Sequence, residues 1–252
     1  MSFEVAAEAY DQFMGRYSAL LSPQLADLAG VTVGTQVLDV GCGPGALVGE
    51  LVARVGADHV TAADPSEPFV TAARTRYPGV TVEQASAEHL PFDDGGFDVA
   101  LAQLVVHFMH DPVAGLREMA RVTRGGGVVA ASVWDLAGGR APLSVYWEAV
   151  HSVDAGTIDE SGLAGTREGH LAGLFAAAGL VELEETTQTV HSEFATFDEW
   201  WEPYTFGVGP AGAHAAGLDA GLRERVREAC RARLPEPPFT VTATAWAVRG
   251  VV

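Results

Sequence analysis

The chain has 252 residues, 48% of them apolar and 19% charged, a balance that specifies a folded globule with one substantial core and excludes a disordered chain. A formal charge of -18 disfavours a nucleic-acid substrate, and because all 15 basic residues are arginine, Schiff-base chemistry, a lysine general base and a phosphate-loop lysine are excluded. The opening MSFEVAAEAYD lacks signal-peptide character, no apolar run is long enough to cross a bilayer, and Cys42 and Cys230 have no metal-ligand or disulfide spacing, so a cytoplasmic protein without membrane or metal is expected.

In chain order, residues 9–30 read as one or two amphipathic helices. Residues 35–41 are short, apolar and stop at glycine, which predicts a buried strand, and 46–56 then carry helical periodicity. The pattern repeats: strand 59–64, helix 67–78, strand 80–86, a turn at 90–96, strand 97–104, helix 112–124, a glycine turn at 125–127 and strand 128–135. Such alternation specifies an α/β fold, a doubly wound and mostly parallel Rossmann-like sheet covered on both faces. Residues 136–168 break the rhythm as a first insertion, 170–180 return to helix, and 181–194 and 240–250 read as late strands. Between those strands, 195–238 form a second insertion. It holds Phe197, Trp200, Trp201, Tyr204 and Phe206, and an arginine-rich stretch at 223–233 whose two glutamates mark it as a solvated helix face. The whole, 1–252, reads as one domain.

The stretch LDVGCGPG at 38–45 puts glycines between the first strand and its helix, where bare backbone and helix N–H groups receive a ligand. Its spacing is not G-x-G-x-x-G, and Pro44 removes a donor that a pyrophosphate would use, so a phosphate-free ligand fits better. Asp64 ends the second strand, where a carboxylate meets ribose hydroxyls; its other reading is an N-cap ahead of Pro65. Glycine loop and carboxylate together imply an adenosine-like ligand.

The ordered motifs VLDVGCGPG, AADPS, AEHLPFDDGGFDVALAQLVVHF and LREMARVTRGGGVVAASVWD resemble those of class I S-adenosylmethionine-dependent methyltransferases, specifically the small-molecule group containing the ubiquinone-biosynthesis enzymes. The resemblance covers about residues 35–135 and implies a seven-stranded sheet with helical cap insertions at 136–168 and 195–238 over the substrate and cap helices at 1–30. It implies that Gly41 and Gly43 pass under the methionine part of S-adenosylmethionine and that Asp64 holds the ribose. Pro65 or Ser66 would border the adenine and Ala87 would touch it, with Ser86 standing where the family often has Asp; Gln103 would meet the methionine end. Asp39 would order the loop rather than contact the cofactor. From the N-terminal helix, Arg16 would pair with the methionine carboxylate, Tyr10 would face the sulfonium and Met14 would add apolar contact; an ordinary packed helix remains the alternative.

Methyl transfer at a sulfonium-activated carbon asks the protein to position the acceptor and exclude water. His107, just beyond the fourth strand, is the candidate base if the acceptor loses a proton, and a histidine satisfied within its loop is the other reading. Asp111 reads as a helix N-cap. The rings of 197–206 suit a pocket for an apolar or aromatic small-molecule acceptor, or a contact that would make a homodimer. A nicotinamide-dependent oxidoreductase would share sheet and carboxylate, but the glycine spacing and the missing Tyr-x-x-x-Lys pair oppose it. A protein that binds S-adenosylmethionine without methylating would carry the same motifs.

Overall fold

A computed structural model describes residues 7–252. Residues 1–6, the start of the expected cap and of the stretch without signal-peptide character, lie outside the described residues. The chain enters through α1 (Ala7–Tyr10), a π-helical turn at Asp11–Gly15, and α2 (Arg16–Leu28). The expected alternation follows: β1 (Val37–Val40), α3 (Ala46–Val55), β2 (Val60–Asp64), α4 (Glu67–Arg76), β3 (Thr81–Gln84), β4 (Phe97–Gln103), α5 (Pro112–Val122) and β5 (Thr123–Trp134). The remainder comprises α6 (Ser144–Val153), α7 (His170–Ala178), β6 (Val181–Phe194), α8 (Phe197–Trp201), α9 (Gly209–Gly217), α10 (Ala220–Arg231) and β7 (Phe239–Val251).

The strands form one seven-stranded sheet in the order β3-β2-β1-β4-β5-β7-β6. β1 to β5 pair in parallel, whereas β7 runs antiparallel to both β5 and β6. This is the doubly wound sheet expected from the sequence. Val37 packs with α3 and α4, while Leu38 and Val40 pack with α5 and α7, so β1 is covered on both faces and reads as an unbroken apolar run. The chain leaves β1 toward β2 on one side and returns to β4 on the other, which opens a crevice at the carboxyl ends of those strands.

One boundary differs from expectation. Glycines 125–127 lie inside β5 rather than in a turn before it. Pairing steps from Thr123 to Val128 while β4 advances only from Phe97 to Val99, so the glycines absorb extra residues as a bulge, with Gly126 at φ 75°. Asp111 does cap α5, accepting from the Val113 and Ala114 N–H groups at 3.1 and 3.0 Å.

A separate core joins α6 and α8 to α10 with the ends of β6 and β7 and with Phe13 and Tyr17 of the N-terminal helices. Phe13 meets the Tyr204 ring edge-on at 4.8 Å, and Tyr146 stacks on Tyr204 at 4.7 Å. The arginine-rich α10 is a neutralised face: Arg227 pairs with Asp198 at 2.7 Å, and the Arg231 guanidinium lies 4.2 Å from the centre of the Phe197 ring.

Candidate functional site

The loop after β1 is shaped by what a side chain would strike. A Cβ on Gly41, at φ 74°, would lie 2.5 Å from Val105 Cγ2, so the backbone must pass that residue bare. At Gly43, φ 53°, a Cβ would meet nothing within 4 Å, because this position borders open space. That space is a cavity of about 530 Å³ at the crevice, lined among others by Gly41, Gly43, Asp64, Pro65, Ser66 and Phe69. Ser86, Ala87, Gln103 and Tyr10 complete the expected cofactor residues on its wall.

Asp64 is buried and does not cap α4; its carboxylate instead ties two loops together. Oδ2 accepts from the Gly43 N–H at 2.9 Å and Oδ1 from the Ser66 N–H at 2.8 Å. Burial raises its pKa, and these two bonds work against the rise. Asp39, two residues before Gly41, is pushed up to about 8 by burial and then by the Asp64 charge, and its Oδ2 has no partner among the described residues. Gln103 donates from Nε2 to Ser18 O at 3.0 Å and Ser22 Oγ at 3.2 Å, which anchors β4 to α2. Its Oε1 is buried without a partner among the described residues. The unpaired Gln103 acceptor and the absence of arginine among the described lining residues fit a ligand with positive charge and no phosphate.

The other expected residues separate. Tyr10 lines this cavity, with its ring edge-on to Phe69 at 5.4 Å. Met14 lines a second, adjoining cavity instead. Arg16 does not match the expected pairing with a methionine carboxylate: its Nη2 bonds Glu199 Oε1 at 3.0 Å and Glu193 O at 3.1 Å, and its guanidinium lies 4.0 Å from the centre of the Phe194 ring. Its place six residues beyond Tyr10 turns it to another face of the helix.

The second cavity is small, about 40 Å³, and shares Tyr10, Leu104 and Phe108 with the first. Phe13, Trp134, Leu136 and Leu143 make it mostly apolar. His107 lines it, with Nδ1 unpartnered among the described residues, and burial lowers its pKa to about 3. A neutral imidazole so buried favours the reading of His107 as a residue held within its loop over that of a base near neutral pH. The sequence reading missed Glu160. It is 3% exposed, lines the same cavity, and accepts a hydrogen bond on Oε2 from Trp147 Nε1 at 3.0 Å. Burial, with a smaller push from Asp159, raises it to about 7. Nothing local marks it, since a glutamate between helices is ordinarily solvated.

Comparison with known proteins agrees with this geometry. The methyltransferase domain family model matches residues 38–131. A malonyl-[acyl-carrier protein] O-methyltransferase of Erwinia billingiae is 34% identical over 147 residues, 58% of this chain and 57% of that protein. The ubiquinone/menaquinone biosynthesis C-methyltransferase of Bdellovibrio bacteriovorus is 39% identical over 110 residues, 42% of this chain and 47% of that enzyme. The chain thus spans about half the length of these curated relatives. An uncharacterized Mycobacterium tuberculosis protein is 33% identical over 224 residues, 82% of this chain and 79% of its own length. Among solved structures, Bacillus YcgJ superposes with a TM-score of 0.59 at 18% identity, covering 93% of this chain and 97% of its own. The [4+2]-cyclase SpnF does so at 0.57 and 20% identity, covering 92% and 80%; both show the fold alone. The family motifs and the cavity they line converge: residues 38–131 of this chain are a methyltransferase domain.

Proposed function

We propose that the protein transfers the methyl group of S-adenosylmethionine to a small apolar or aromatic molecule. The observation that carries this reading is the meeting of two unlike cavities: a roomy one floored by bare glycine backbone and Asp64, and an apolar one, sharing Tyr10, Leu104 and Phe108. In this reading Gly41 and Gly43 pass under the methionine part, Asp64 accepts from the ribose hydroxyls, and Pro65, Ser66, Ser86 and Ala87 border the adenine. Gln103 Oε1 supplies an acceptor toward the cationic end, and Asp39 orders the loop behind it. Bound S-adenosylmethionine supplies a methyl carbon already activated for displacement. The chain's task is to align the acceptor, keep water out with the rings of the cap, and accept any proton released.

The helices of 136–168 and 195–238 and the N-terminal helices serve as the cap over the acceptor, supported by the shared core of Phe13, Tyr146, Trp200 and Tyr204. The small-molecule reading is supported by the net charge of -18 and by the neutralised α10, neither of which suits a nucleic acid. No helix among the described residues is long and apolar enough to cross a membrane.

The test is release of S-adenosylhomocysteine when the protein is incubated with S-adenosylmethionine and a broad panel of small aromatic and alicyclic acceptors. Turnover of at least one acceptor is expected. Tight cofactor binding with no product across the panel contradicts the assignment and favours a binder that does not methylate.

A further inference from the structure

Three polar groups stand in the wall of the apolar cavity, and the fold supplies none of them with a full set of partners. Glu160 carries one hydrogen bond, from Trp147 Nε1, and no cation pairs with it among the described residues. His107 Nδ1 and Trp134 Nε1, both buried, have no partner among the described residues. An unpaired buried polar atom costs on the order of 1–3 kcal/mol, so two such nitrogens and a buried carboxylate without a cation in one apolar lining are a costly arrangement unless a ligand completes it. The set contains an anion or acceptor in Glu160, a pure donor in Trp134 and an imidazole able to do either. A group with both a proton and a lone pair can donate to Glu160 and accept from a donor on the same wall, as a hydroxyl or an amine does and an ether or hydrocarbon does not.

We propose that Glu160 receives the proton of the acceptor, and that the acceptor is a flat apolar molecule whose methylated atom is a protic oxygen or nitrogen. The inference rests on the methyltransferase reading and specifies its acceptor. In the transfer, the heteroatom's lone pair forms the new bond to the methyl carbon while the S–CH3 electron pair stays on sulfur, leaving neutral S-adenosylhomocysteine. The heteroatom's proton passes to the Glu160 carboxylate, which later loses it to solvent. Product is then an ether or a methylated amine, and charge balances without any further reactant.

The local fold holds Glu160 for this role. Its carbonyl accepts from the Leu163 N–H at 3.1 Å, Thr166 Oγ1 donates to Ser161 O and Leu163 O at 2.8 Å each, and the Ala137 N–H bonds Thr166 O at 3.1 Å. The loop is thereby closed on itself and tied to the chain just beyond β5. Trp147, on α6, fixes the carboxylate from the other side. The titratable groups around it are Asp159 beside it in the chain, His151 lying 3.6 Å from Asp159, His107 and Tyr10 on the same cavity wall, and Tyr204, which feels the Glu160 charge. Of these only Asp159 acts on Glu160 appreciably, and in the direction that makes it a stronger base. The cavity of about 40 Å³ admits little more than one water as it stands, so the acceptor's ring must displace side chains of the lining, of which Met14 is the most adaptable.

Two measurements test the proposal. In the first, one- and two-ring phenols and arylamines, each with its methyl ether or N,N-dimethyl counterpart, are titrated into the unaltered protein saturated with S-adenosylhomocysteine, following tryptophan fluorescence. Protic members binding at least about tenfold more tightly than their capped counterparts is the expected result, and no preference in any pair overturns the proposal whatever the turnover. In the second, any acceptor turned over is assayed across pH. The unaltered enzyme should gain kcat through an apparent pKa near 7, while Glu160→Gln loses kcat by about 100-fold or more, Glu160→Asp recovers part of it, and calorimetric binding of S-adenosylmethionine stays within about threefold. An unchanged pH profile in Glu160→Gln overturns the proposal and leaves the methyltransferase reading intact. Loss of S-adenosylmethionine binding by the unaltered protein removes both.

Discussion

Gly41 and Gly43 stand two residues apart in the same loop, yet they answer to different constraints. Gly41 is excluded from bearing a Cβ by Val105 and by its positive φ, so Gly41→Ala should lower stability by about 2 kcal/mol or more in thermal or denaturant unfolding. Gly43 has the positive φ but open space beside it, so Gly43→Ala should cost only about 1 kcal/mol while weakening S-adenosylmethionine, whose backbone approach it blocks. Equal stability losses in the two variants would contradict this division. Asp39 yields a pH prediction. Its carboxyl, at about 8 when folded, keeps a proton that the unfolded chain releases near the usual carboxylate range, so its contribution to stability is full in acid and is lost as pH rises through about 8. Asp39→Asn should therefore flatten the decline in stability between about pH 5 and about pH 8, as read by urea midpoints in the two proteins. A decline of the same slope in Asp39→Asn would show that Asp39 is ionised in the fold.

At the scale of elements, the N-terminal helices and the cap behave as one packing unit. Phe13 is buried against Tyr204, so Phe13→Ala should cost about 3 kcal/mol and widen the acceptor cavity, measurable as a lower midpoint of unfolding together with altered acceptor preference. The elements also show what a sequence conveys. Strands β1 and β2 were legible because burial on both faces leaves apolar runs ended by glycine or a carboxylate, β4 because it is a short apolar run after a glycine turn, and Asp111 because Asp before Pro and a helical period has one common use. The glycines of β5 were not, since a bulge and a turn demand the same residue and only pairing with β4 distinguishes them.

For the molecule as a whole, the cavity at the crevice was legible and the smaller apolar cavity was not. The first is built by consecutive motifs at strand ends, so Gly41, Gly43, Asp64, Ala87 and Gln103 meet there by topology alone. The second is assembled from the N-terminal helices, the turn after β4, the end of β5 and the two regions beyond it, and no local pattern says that Glu160 is buried while Arg16 turns toward β6 and α8. Such residues acquire their character from tertiary contact.

The most direct measurement of the account is calorimetric titration of S-adenosylmethionine into the purified protein and into Asp64→Ala. Saturable one-to-one binding, weakened at least about tenfold by the substitution while the melting curve remains cooperative, is the result expected of a carboxylate that holds the ribose and the Gly43 loop. No heat of binding in the unaltered protein, or equal affinity in both, would contradict it.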